Sequence, residues 1–143
     1  MTSSDQNGAC RPNADLAARI RTEITERPEH HDQHYWFEGV DTLLPTDDLL
    51  DGALECGTTL CVAGYAAHLS GYALAGSKAF KPGQTSSYRY IRFVAQEKLG
   101  LDREDADWLF ATARTRGEVL AALGQLADGA TCLDTDAIMA SAN

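Results

Sequence analysis

Cys56-Gly57-Thr58-Thr59-Leu60-Cys61-Val62-Ala63-Gly64-Tyr65-Ala66-Ala67-His68-Leu69-Ser70 is the stretch on which the reading of this chain turns. Thr58 or Thr59 offers a hydroxyl to cap a helix, and Gly71 follows its far end, so the pattern predicts a central helix over 58–70. Cys61, Ala63, Gly64 and Ala67 are small, which lets a neighbouring segment approach that helix closely. The same residues carry chemistry. A thiol at a helix start lies beside unpaired amides and the positive end of the macrodipole, where a thiolate is favoured.

Working outward, Asn13 caps a predicted amphipathic helix with Leu16, Ala17, Ile20 and Ile24 on one face, ended by Pro28. Glu29 to Gly39 crowds His30, His31 and His34 with Tyr35, Trp36 and Phe37. No Lys or Arg occurs between Arg27 and Lys78, whereas eight acids fall between Glu29 and Glu55. Tyr72 to Gln84, with Gly76, Pro82 and Gly83, reads as a loop. Thr85 or Ser86 starts a third helix with Tyr88, Ile91, Ala95 and Leu99 in line, closed by Gly100. Asp102 caps a fourth, and Thr115-Arg116-Gly117-Glu118 has the spacing of a capping box for a fifth.

The resulting expectation is an all-α single small domain of about five helices packed around the small-residue helix 58–70. Residues 1–12 read as a flexible leader, 13–129 as the helical domain and 130–143 as a loosely ordered tail. At 143 residues and 44% apolar composition, the chain has enough material for one core. A formal charge of -9 argues against nucleic acid or an anionic membrane as partner. No apolar run reaches membrane-spanning length and no secretory leader is visible, which points to the cytoplasm. Cys10, Cys56, Cys61 and Cys132 are irregularly spaced and read as free thiols.

His31-Asp32-Gln33 with Trp36, then Cys56-Gly57-Thr58 through Cys61 with Ala63-Gly64, and later Leu99-Gly100-Leu101 with Leu109-Phe110, form a combination with precedent. It resembles a group of small uncharacterised proteins of actinobacteria and bacteriophages that share a Cys-Gly-Thr-x-x-Cys-x-Ala-Gly core. The resemblance covers most of Asp15 to Gly129. It implies a shared fold and a cytoplasmic setting, and it transfers no catalytic role.

Three functional readings follow. The first is a small accessory protein that binds a protein or small molecule in a groove lined by Trp36, Tyr65, His68 and Trp108, with no cofactor. The second is a cysteine-dependent enzyme with Cys61 or Cys56 as nucleophile and His34 or His31 as base. His68 lies roughly 10 Å along the helix from Cys61 and cannot serve that thiol directly. The third is a zinc module built from His30, His34, Cys56 and Cys61. Phosphate-cradling glycine loops and a nucleophile elbow are absent from the sequence.

Overall fold

In the computed structural model, residues 12–33, 36–38, 59–81 and 87–142 are described below. Helix α1 (Ala14–Glu26) starts at Asn13, whose side chain accepts the Leu16 amide at 3.0 Å. Its apolar stripe Leu16, Ala17, Ile20 and Ile24 is buried. A 3₁₀ turn, Pro28–His30, redirects the chain after Pro28 blocks further α-helix.

A short antiparallel pair then frames the central helix: β1 (Phe37–Glu38) lies against β2 (Thr59–Leu60), with Phe37 opposite Leu60. This pairing overrides the expected helix start. Thr59 and Leu60 are extended, Cys61 is the N-cap, and α2 runs Val62–Leu69. Thr59, held in β2, is therefore not its cap, and Thr58 lies outside the described residues. Every residue from Val62 to His68 is buried, so α2 is the central element, shorter than its predicted span of 58–70.

Beyond Gly71, which takes a positive φ of 96, the chain departs from the all-α expectation. The segment read as a loop contains a hairpin, β3 (Ala73–Ala75) and β4 (Lys78–Phe80), joined by the two-residue turn Gly76-Ser77. Gly76 supplies the positive φ, 62, that such a tight turn requires. A third strand, β5 (Arg89–Tyr90), pairs with β4 where the start of the third helix was expected. Among the described residues the fold is thus mixed α/β: six α-helices with a three-stranded antiparallel sheet, order β3-β4-β5.

Helix α3 (Ile91–Leu99) begins at once after β5, its first amide donating to the Ser77 carbonyl at 2.8 Å. Gly100 ends it in the left-handed region. Helices α4 (Arg103–Leu109) and α5 (Arg116–Ala127) begin at the expected caps. Asp102 accepts from the Asp105 amide, and Thr115 with Glu118 forms the reciprocal capping box.

The 130–143 segment, read as a loose tail, holds α6 (Thr135–Ala142), with Leu133 and Ile138 buried. Buried Asp105 accepts the Leu133 amide at 3.0 Å, and Gln125 bonds both the amide and the carbonyl of Asp134. Two side chains of the preceding helices thus satisfy the backbone leading into α6. The core lies between α1, α2, α3 and α5, with the sheet contributing Leu74 and Ala79 to its edge.

Candidate functional site

A polar cluster stands at the start of α2. Gln33 is buried, and its side chain bonds to α4, to α2 and to its neighbour His31. Its Nε2 donates to the carbonyls of Leu109 (2.8 Å) and Ala111 (3.3 Å), at the C-terminal end of α4. Those carbonyls accept only, which fixes the amide's orientation. Its Oε1 therefore faces the first amide of α2, Val62, at 3.4 Å and the His31 Nε2 at 3.0 Å. One side chain thus satisfies orphan groups at the start of one helix and the end of another.

His31 completes the arrangement. Arg116, the first residue of α5, donates from Nε to His31 Nδ1 at 3.3 Å and from its terminal nitrogen to the carbonyls of Pro28 and His31. A guanidinium has no acceptor, so Nδ1 accepts and Nε2 carries the proton toward Gln33. Burial, with the nearby Arg116 charge, holds the imidazolium pKa below its ordinary value, against the opposing pull of Gln33 and Asp32. Both ring nitrogens are committed, and His31 is a neutral cross-link rather than a free base.

Cys61 sits beside this cluster at 2% exposure. Burial pushes its thiol up to about 11, against the lowering influence of the Gly64 and Ala63 amides. The Cys61 thiol points to the Trp36 carbonyl, 4.0 Å away. That same carbonyl passes so close to α2 that a Cβ on Gly64 would lie 2.1 Å from it. Smallness at position 64 is therefore demanded by a backbone crossing.

Of the other residues singled out by sequence, Cys56 and His34 lie outside the described residues, which leaves the thiol pairing and half of the zinc set there. Among the described residues no group of three His, Cys, Asp or Glu side chains is placed to hold a metal. Tyr65 and His68 are buried, at 0% and 4% exposure. Trp36 and Trp108 pack half-buried against the core, with the Arg114 guanidinium 4.4 Å over the Trp108 ring. The Tyr65 hydroxyl is buried with no hydrogen-bond partner, and burial, then Glu23, raises its pKa well above the usual phenol range.

The surface chemistry lies elsewhere, on the sheet and the start of α3. Tyr88, Tyr90 and Phe93 are 43%, 48% and 52% exposed. Tyr88 lies edge-on to Tyr90 at 5.6 Å between centroids and tilts against Phe80 at 5.9 Å. Lys78 Nζ sits 4.4 Å over the Tyr88 ring, and the Arg92 guanidinium 5.9 Å from Phe93. Arg89 pairs with Glu97 and Arg92 with Asp107, while Lys78 and Lys81 form no ion pair among the described residues. Tyr72, Ala79, Lys81, Ser87, Tyr88 and Arg89 line an open cleft of about 290 Å³ on this face.

The predicted helical line had placed Tyr88 inside. Tyr88 instead lies ahead of β5 and outside the helix, which begins only at Ile91, and the Arg-Tyr-x-Arg-Phe alternation at 89–93 is the visible signal of an aromatic and cationic surface.

No helix among the described residues is long and apolar enough to cross a membrane. Neither a protein-family model, nor a curated protein, nor a solved structure matches the chain.

Proposed function

We propose that this chain is a small cytoplasmic accessory protein that acts by binding a protein partner through the face formed by β4, β5 and the first turn of α3. One observation carries the reading. Tyr88, Tyr90 and Phe93 stand exposed within six residues of chain, the two tyrosines in contact, and Lys78, Lys81, Arg89 and Arg92 bring cations to the same face, in a chain whose formal charge is -9. Water-exposed tyrosine and phenylalanine cost solubility on an isolated monomer, and Tyr and Arg are the residues that anchor protein interfaces. The local excess of cations selects a partner surface that presents acids beside apolar groups.

A cytoplasmic setting suits the free thiols at Cys61 and Cys132. The committed ring nitrogens of His31 and the buried Cys61 thiol favour a binding role over thiol catalysis.

The test uses a fluorescent glutamate–tyrosine copolymer as an acidic, aromatic polypeptide, with binding read by anisotropy at low and high salt. Expected are saturable binding that weakens with salt and its loss in the Tyr90→Ser/Phe93→Ser variant. The variant's unfolding free energy should stay within about 0.5 kcal/mol of wild type per exposed site. Equal binding by the variant, or none by the wild type, rejects the reading.

A further inference from the structure

The cleft on this face has a composition more specific than its surroundings. Its lining brings the exposed Tyr88 together with Ser87, Lys81 and Arg89 over the nearly buried Tyr72 and Ala79. Lys98 adds a further cation, with Nζ 5.9 Å from the Tyr72 ring. Glu97 is the carboxylate set among these cations. Arg89, Lys98 and Lys81 together hold it below its usual range, Arg89 most strongly through a hydrogen bond.

We infer that this cleft seats an aryl phosphate monoester, the chemistry of a phosphorylated tyrosine side chain, presented by the protein partner; this rests on the partner-binding reading above.

The argument turns on competition for Arg89. An incoming anion meets a guanidinium already occupied by Glu97, and a monocarboxylate would exchange one such pair for an equivalent one. A phosphate monoester carries close to two charges and three acceptor oxygens, so it gains over the carboxylate it displaces. The displaced pair gives way readily, because its side chains are 47% and 55% exposed and water solvates both.

The exposed Tyr88, beside the cations of the same cleft, selects the group that bears the phosphate. An aryl phosphate joins ring and phosphate through a single oxygen, matching a cleft that Tyr88 lines together with Lys81 and Arg89. A nucleoside monophosphate separates its base from the phosphate by a ribose and fits that spacing less well. Inorganic phosphate forgoes the rings altogether.

The full chain is titrated by calorimetry with N-acetyl phosphotyrosine amide, N-acetyl tyrosine amide, inorganic phosphate and adenosine monophosphate. Phosphotyrosine amide is expected to bind at least about tenfold more tightly than each of the others. Lys81→Met should weaken it by about fivefold or more, and Glu97→Gln should tighten it by about threefold, since the internal competitor is gone. No saturable binding of phosphotyrosine amide, equal binding of adenosine monophosphate, or an unchanged affinity in Glu97→Gln overturns the inference. If the acidic copolymer binds while phosphotyrosine amide does not, the cleft assignment fails and the partner face stands. The reverse pattern keeps the cleft and removes the partner face.

Discussion

Arg116 donates to Nδ1 of His31 across 3.3 Å, joining the first residue of α5 to a segment 85 positions earlier in the chain. A guanidinium stays charged at every accessible pH, so this contact exists only while His31 is neutral. Protonation would place two cations face to face in a part-buried site. The folded-state pKa of His31 is accordingly lowered from 6.5 by burial and by Arg116, so the unfolded chain takes up the proton more readily. The contribution of this site to stability is complete above about pH 6.5 and is lost as the pH falls from there through the folded pKa. Urea unfolding between pH 7 and pH 5 should show a declining midpoint, with a shallower decline in His31→Asn. Identical slopes for the two proteins would show that His31 does not carry this proton linkage.

Gly64 and Gly124 both lie inside helices, where alanine is intrinsically favoured by roughly 0.5–1 kcal/mol. Their surroundings reverse the sign for one of them. A Cβ at 64 would stand 2.1 Å from the Trp36 carbonyl and 2.8 Å from a Leu60 methyl, so backbone must move. At 124 it would meet the Arg21 guanidinium at 3.6 Å, an ordinary contact. Gly64→Ala should lose about 3 kcal/mol or fail to fold, whereas Gly124→Ala should gain up to about 1 kcal/mol. Chemical denaturation of the pair measures both; a tolerated alanine at 64 would contradict the close crossing.

Cys61 and Cys132 differ in access. With its thiol at about 11, Cys61 is protonated and buried at neutral pH, whereas Cys132 is exposed. Brief treatment of native protein with iodoacetamide should label Cys132 and spare Cys61, with Cys61 reacting after unfolding. Peptide mass spectrometry gives the ratio. Comparable labelling of both in the native state would return thiol catalysis to contention.

The Tyr65 hydroxyl is buried and makes no hydrogen bond, so folding removes it from water without compensation. Tyr65→Phe keeps the ring and discards that burden. Stability should rise by about 1 kcal/mol, opposite in sign to the usual effect of a core substitution. A thermal or urea midpoint that falls in this variant would indicate a bonded hydroxyl.

What the sequence disclosed depended on how local the determinant was. Asn13, Asp102 and the Thr115–Glu118 box act on amides three residues away, so spacing alone located those helix starts. Thr58 and Thr59 looked equally persuasive. There the outcome was settled by β1, some twenty residues earlier, whose pairing holds Thr59 and Leu60 extended. The hairpin escaped notice because Ala73-Leu74-Ala75 has little strand propensity and its three-residue strands are too short to display alternation.

At the polar cluster, sequence drew attention to histidine and cysteine. Gln33, which organises the cluster, reaches carbonyls of Leu109 and Ala111, 76 and 78 positions away, and no pattern within a window reveals such a bond. Tyr88 was misplaced for a related reason. A helical period assigned it to the interior, but the helix begins only at Ile91.

The packing of α1 along α5 has a consequence for biosynthesis. The apolar stripe of α1 leaves the ribosome first, yet the helix that covers much of it ends at Ala127 and emerges about a hundred residues later. At about 5–20 residues per second, Ile20 and Ile24 wait several seconds for that cover during translation. Closure of the core is then a late event in synthesis, and a nascent chain stalled before residue 116 should expose α1 to chaperones or proteases.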